Sequence, residues 1–347
     1  MRRFQDGCGL RCGWRLAGVL MLSTSITGCD LSKLGIGEII EECGSMTLEE
    51  LQSSGELSDE CREALRDLLP EKETTLSNRI VVLGVEQEGS SATIYMHGVG
   101  SGSDVLTSDD FAAGSYTVLD ASGAESLLDA SSQDTQTLMD WPDGILSMSL
   151  VTDYSSSMRE EDLDAMADLY TDLVTMVPPV YEAEVVVFTT EVTERQPYTE
   201  SQDALVDAVA VDPDIERDLT ALYDGMGHSL DNFSERTRPA RLLVVATDGA
   251  ENASEVWTQE AVIEAIADED VVIVMVGSLF SDVEEFKTLT GDRGIYFYAA
   301  DYSDIRDELN TWVRSLSEAV AVTIDGLPAD AASVSVKVDG VDVTIDL

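Results

Sequence analysis

The sequence predicts an α/β fold over residues 144–318: a doubly wound, mostly parallel sheet with helices on both faces, flanked by small antiparallel β segments. Two observations carry this expectation. In the middle of the chain, nearly all-apolar β runs alternate with helical patterns, as strands buried on both faces require. On either side, at 79–140 and 319–347, the periodicity falls to two, the pattern of strands with one dry face.

Residues 1–28 have the build of an export signal. Arg2, Arg3, Arg11 and Arg15 accompany an apolar core at 16–26 that is too short to span a bilayer, and "SITGC" closes the segment at Cys29. "SITGC" resembles the bacterial lipobox, which implies cleavage before Cys29 and diacylglyceryl attachment to it. The alternative is an ordinary secretory signal with a chance cysteine. The resemblance places the chain on a bacterial cell envelope, held to a membrane through lipid on Cys29, with inner or outer membrane left open. Cys8 and Cys12 leave with the signal. Cys43 and Cys61 remain, and in an oxidising compartment they are expected to pair, closing a loop of roughly 20 residues and stabilising it by about 3 kcal/mol.

Composition narrows the function classes. The chain has 347 residues, 44% of them hydrophobic, which is enough for two or three domains with buried cores. Its formal charge of -48 argues against nucleic acid as a partner, because phosphate binding needs clustered Lys and Arg.

The segment 29–78 reads as a helical, polar tether. "SDECREALRDLLP" has helical spacing, with Ser58 as N-cap and Pro70 as stop, and "EKETTLSN" reads as linker. From 79 to 140, "RIVVLGVEQ", "SATIYMHGV" and "GSYTVLDAS" are short β runs between Gly, Ser and Asp clusters. The tail alternates strictly, with Asp339-Gly340 where a two-residue hairpin turn belongs. The two pieces together approach the size of one β-sandwich interrupted by an inserted domain; the alternative is two independent fragments. "HGVGSGSD" lacks the third glycine of a dinucleotide fingerprint, so it reads as a turn and His97 as incidental.

Within 144–318 the first helix carries Leu163, Met166, Ala167, Tyr170, Val174 and Val177 at intervals of three and four, so one face is buried until Pro178 and Pro179. In doubly wound sheets ligands sit beyond the carboxyl ends of the strands, where strand order reverses. Asp153 ends the first apolar strand, and Ser155 and Ser157 follow at alternate positions. Asp248 ends another strand. Singly, each residue reads as a helix cap or a turn; together, two carboxylates and several hydroxyls suit a hard divalent cation.

"DYSSSM" at 153–158 resembles the DxSxS element of von Willebrand factor A-type domains, and "RDLTALYDGM" and "ATDGAENAS" supply matches for that family's later threonine and aspartate. The resemblance implies a metal-ion-dependent adhesion site made of Asp153, Ser155, Ser157, Thr220 and Asp248. It implies Mg²⁺ as the cation, with Mn²⁺ and Ca²⁺ as alternatives, and a protein ligand that presents Asp or Glu to the metal. Asp218-Leu219 departs from the glycine common before the threonine. No catalytic activity is expected: only His97 and His228 occur, and GxSxG and HExxH motifs are absent. A metal-assisted hydrolase and a passive envelope spacer with a structural metal are the competing readings.

Overall fold

The computed structural model describes residues 72–127, 133–138, 144–176, 181–248, 251–278, 281–299 and 301–347. Cys29, Cys43 and Cys61 lie outside the described residues, as do Ser58 and Pro70. The chain begins with β1 (Glu73–Thr74), β2 (Arg79–Glu88), β3 (Ser91–Val99), a short helix α1 (Ser108–Ala112), β4 (Ser115–Asp120), β5 (Glu125–Leu127) and β6 (Gln133–Thr137). Alternation follows: β7 (Leu146–Asp153), α2 (Glu160–Met176), β8 (Tyr181–Phe188), β9 (Val192–Thr199), α3 (Gln202–Val209), α4 (Leu222–Phe233), β10 (Ala240–Thr247), α5 (Gln259–Asp268), β11 (Val272–Gly277), α6 (Val283–Thr290), β12 (Ile295–Tyr298) and α7 (Arg306–Ser317). The chain closes with β13 (Val320–Asp325), β14 (Ala331–Val338) and β15 (Val341–Asp346).

The alternating region forms the expected α/β layer structure around a seven-stranded sheet in the order β1-β12-β11-β10-β7-β8-β9. The strands from β12 to β8 are parallel, and the two edges are antiparallel. Alternate residues of each strand feed opposite cores. Leu150 packs on the side of α2, with Leu163, Met166, Tyr170 and Val174, while its neighbour Val151 packs on the side of α4, with Leu222, Met226 and Leu230. A buried side chain of this size contributes roughly 1.5–3 kcal/mol, which is why continuous apolar runs stay as central strands. Strand order reverses between β7 and β10, which are direct neighbours, so the carboxyl ends of these two strands open the crevice typical of such sheets.

Two edges depart from the sequence reading. "EKETTLSN" was expected to be linker, yet Glu73–Thr74 pair with Phe297 and Tyr298, and Glu73 is anchored by Lys287 at 3.2 Å and by the Tyr296 hydroxyl. β9, "VTERQPYT", adds an antiparallel strand with no apolar alternation to announce it.

The flanking strands build two four-stranded antiparallel sheets, β2-β3-β13-β6 and β15-β14-β4-β5. Both contribute to one core that includes Ile94, Met96, Phe111, Val118, Val322, Ile324, Val334 and Val336. Asp339 and Gly340 take positive φ (47° and 81°), the backbone that a two-residue turn between β14 and β15 demands. The A-domain-like layer is thus inserted between β6 and β13, and its entry and exit touch: Leu138 N–H donates to the Ala319 carbonyl at 2.9 Å.

Helix α7 joins the two parts. Trp312, Val313 and Leu316 share a core with the parallel-sheet residues and with Val81, Leu83, Tyr95 and Val99 of β2 and β3. Gly84 permits the close approach, since a Cβ there would lie 2.2 Å from the Pro239 carbonyl oxygen.

His97, expected to be incidental, is buried in this seam with Nδ1 at 2.9 Å from Ser315 Oγ. Ser315 Oγ donates to the Trp312 carbonyl, so His97 Nδ1 carries the proton and donates to Ser315. Burial, reinforced by the charge of Arg79, pulls the imidazole pKa down to about 3. The unfolded chain therefore binds a proton that the fold refuses. Stability is full above the unfolded value of about 6.5 and declines as pH falls from there toward 3, by up to about 1.4 kcal/mol per pH unit. Urea unfolding at pH 7.5 and pH 5 is expected to show a smaller loss for His97→Gln than for wild type; equal losses would remove His97 from the account.

Candidate metal centre

Asp153 is the last residue of β7 and fully buried. Its Oδ1 accepts from Ser155 N–H at 2.7 Å, which turns the chain sharply after the strand, and its Oδ2 accepts from Thr247 Oγ1 at 2.5 Å across the β7–β10 boundary. Ser155 Oγ lies 2.9 Å from Ser157 Oγ, and Ser157 Oγ donates to Asp248 Oδ1 at 2.7 Å. Asp153, Ser155, Ser157 and Asp248 are thereby linked in one buried hydrogen-bonded run, in which Ser155 gives its N–H to Asp153 and its hydroxyl to the Ser157–Asp248 pair. Tyr154 points away, its hydroxyl accepting from Asp212 N–H at 3.3 Å.

Thr220 is buried just before α4. Its loop is tied to the serine turn by Ser156 N–H on the Asp218 carbonyl (2.8 Å), and to the segment after β10 by Asn252: Thr220 N–H donates to Asn252 Oδ1 at 2.9 Å, and Asn252 N–H returns to the Thr220 carbonyl at 3.0 Å. Glu251 and Asp224 complete the clamp. Glu251 accepts from Tyr223 N–H (3.0 Å) and Ser254 N–H (2.7 Å), and Asp224 accepts from Val256 N–H (3.0 Å) and Trp257 N–H (2.7 Å). Gly227 admits the Trp257 ring onto α4, where a Cβ would approach it to 2.2 Å.

Residues 148–311 match the family model of the von Willebrand factor type A domain. This segment is a von Willebrand factor type A domain. No curated protein matches the chain. Among solved structures, the A domain region is similar to proximal thread matrix protein 1 from the mussel byssus with a zinc-occupied MIDAS motif (20% identity, TM-score 0.45, covering 56% of this chain and 50% of that one). It is also similar to the conserved hypothetical protein BatB from Bacteroides thetaiotaomicron (18% identity, TM-score 0.39, covering 50% and 98%) and to a von Willebrand factor type A protein from Catenulispora acidiphila (10% identity, TM-score 0.43, covering 79% and 71%). The chain spans about half the length of the mussel protein.

The electrostatics of the A domain crevice favour a positive guest. Burial pushes the Asp153 carboxyl above the usual carboxylate range, against the pull of the Thr247 and Ser155 hydrogen bonds. Tyr302 lies buried nearby, and burial together with the charges of Asp248, Asp162 and Asp153 holds its phenol protonated. The donor set is all oxygen, two carboxylates and hydroxyls, and so fits a hard divalent ion. Thr247, Glu251, Asn252 and Asp224 escaped the sequence reading. Thr247 had a usable signal, a polar residue closing an apolar strand directly before Asp248, whereas the others act by bonds across loops that no local pattern announces.

No helix among the described residues is long and apolar enough to cross a membrane.

Proposed function

We propose that the A domain holds a divalent cation, Mg²⁺, through Asp153, Ser155, Ser157, Thr220 and Asp248, and that a protein ligand docks there by an Asp or Glu carboxylate. The chain carrying it is a bacterial envelope lipoprotein anchored through Cys29, displaying a binding module rather than an enzyme. The observation that carries this reading is the buried hydrogen-bonded run Asp153–Ser155–Ser157–Asp248 at the point where strand order reverses. The cation supplies a positive charge that an incoming carboxylate can share. The protein's own residues do the rest: the Thr247 hydroxyl and Ser155 N–H fix both oxygens of Asp153, and Asn252 fixes the loop of Thr220, so the donors are preorganised and little ordering remains to be done on binding.

Surface charge supports a metal-bridged contact. At a net charge of -48 the chain repels an acidic ligand at long range, so attachment through carboxylate needs a local positive centre. Both histidines lie elsewhere, His97 in the seam and His228 on α4, leaving the crevice without an imidazole base. Isothermal titration of Mg²⁺ into wild type, Asp153→Ala and Ser155→Ala tests the reading. Saturable binding in wild type, lost in both variants, is expected. Equal heats in all three would reduce the cation to the counterion shell of an acidic surface and leave the spacer reading.

A further inference from the structure

A second polar cluster interrupts the apolar layer between the sheet and α4. Glu184 in β8, in register with Ser149 of β7, is 0% exposed. Its Oε2 accepts from Asn232 Nδ2 at 2.7 Å, but its Oε1 has no hydrogen-bond partner. Ser149 spends its hydroxyl proton on Ser229 Oγ at 2.7 Å, and Ser229 turns its own toward the Gly225 carbonyl at 3.5 Å. Among the described residues no Lys or Arg forms a salt bridge with Glu184; Arg236 and Arg238 pair with Glu182 instead. A carboxyl group this deep is normally paired, metal-bound or held neutral, and burial pushes that of Glu184 up to about 7, so a cation would be needed to keep it fully ionised.

Two further ligand groups converge on it. Glu194 of β9 and His228 of α4 bring one carboxylate oxygen and one imidazole nitrogen to the same place, and the ligand atoms of all three residues lie within 4.8 Å of one another. His228 Nε2 is 3.7 Å from Glu194 Oε2. The Asn232 amide nitrogen stands in the middle, 2.7 Å from Glu184 Oε2, 3.3 Å from His228 Nε2 and 3.5 Å from Glu194 Oε2. An amide NH₂ has two protons to give, so it cannot serve three acceptors, and only the bond to Glu184 is short.

We propose that Glu184, Glu194 and His228 form a second divalent-cation site, separate from the crevice at Asp153 and suited to Zn²⁺. One imidazole and two carboxylates select a borderline ion over Mg²⁺, which prefers oxygen alone. Ligand bonds of about 2.0–2.2 Å place tetrahedral neighbours roughly 3.3–3.6 Å apart, so His228 and Glu194, 3.7 Å apart, are already near that spacing, and the set as a whole, within 4.8 Å, closes on the ion by side-chain adjustments of up to about 1 Å. Turning the Asn232 amide over exchanges its donor for Oδ1, which removes the competing NH₂ and offers a fourth ligand. Glu194 and His228 are 35% and 36% exposed at their side chains, which leaves the ion a way in. Bound there, it staples edge strand β9 and strand β8 to α4, the helix that begins beside Thr220.

Titrating ZnCl₂ and MgCl₂ into the chelator-stripped full chain carrying Asp153→Ala tests the site with the first centre disabled. One saturable Zn²⁺ equivalent is expected, without a Mg²⁺ counterpart. Adding His228→Ala, or separately Glu194→Gln, is expected to weaken it by more than about tenfold, the scale on which even an outer-shell partner acts. Both positions are partly exposed, and an unchanged far-ultraviolet circular dichroism spectrum confirms that the fold is intact. No Zn²⁺ uptake by Asp153→Ala, or uptake indifferent to both added variants, overturns the proposal. Because Mg²⁺ binding by the wild type reports the first centre, failure of one site is distinguishable from failure of the other.

Discussion

Mg²⁺ at about a hundredfold excess over its dissociation constant is expected to add about 2.7 kcal/mol to the unfolding free energy of the wild type and nothing to that of Asp153→Asn. A ligand that binds only the folded chain stabilises it by mass action, and Asp153 is the donor that both loops are built around, through Ser155 N–H and Thr247 Oγ1. Without the cation the order reverses. Burial pushes the Asp153 carboxyl up, so holding it ionised costs stability in the metal-free fold. An uncharged amide of the same shape relieves that cost, keeps the Ser155 contact, and is expected to make metal-free Asp153→Asn more stable than wild type by about 1 kcal/mol. Thermal unfolding of both proteins with and without Mg²⁺ gives four midpoints that settle the matter. An equal Mg²⁺-induced rise in the variant would show that the ion stabilises from somewhere other than the crevice.

Trp312→Ala is expected to cost about 3–5 kcal/mol of folding stability. The ring is fully buried on α7, 6.0 Å from the Phe297 ring, within a core that also takes in Tyr95 and Val99 from the β-sandwich. Its removal opens a cavity against both parts of the molecule, neither of which can collapse without pulling away from the other. Trp312→Phe, which keeps most of the volume, is expected to lose much less. Urea unfolding followed by tyrosine fluorescence and by circular dichroism provides the comparison. A loss below about 1 kcal/mol for the alanine variant would mean that α7 is not the seam described.

The parallel sheet was legible because its strands are apolar on both faces: "RLLVVATDG" and "VVIVMVG" leave no other environment for themselves. The A domain segment was legible because Asp153, Ser155, Ser157 and Asp248 sit at strand ends, where side-chain type and position are read together. The edges were not. Val192–Thr199 holds Glu194, Arg195, Gln196 and Pro197, as an exposed edge strand tolerates, and its pairing comes from its neighbour β8 rather than from its own pattern. Glu184 was hidden inside "EVVVFTT", where a single carboxylate in an apolar run gives no sign of which side chains will meet it. His97 looked incidental because its partner, Ser315, lies far along the chain.

The route of the chain also fixes when its parts can be finished. β6 and β13 are paired, Thr137 opposite Val320, and β13 lies between β3 and β6 while β14 lies between β4 and β15. On a growing polypeptide the strands before the insertion therefore have only the hairpins β2–β3 and β4–β5 to form. Closing the large loop between residues 138 and 319 is entropically costly while that stretch is unfolded, and the cost vanishes once the inserted domain has brought its own ends together. Maturation is consequently ordered, with the insert first and the surrounding sheets last, and a chain interrupted anywhere short of β13 leaves an open half-sheet with bare edges, prey to proteolysis and to pairing with other chains.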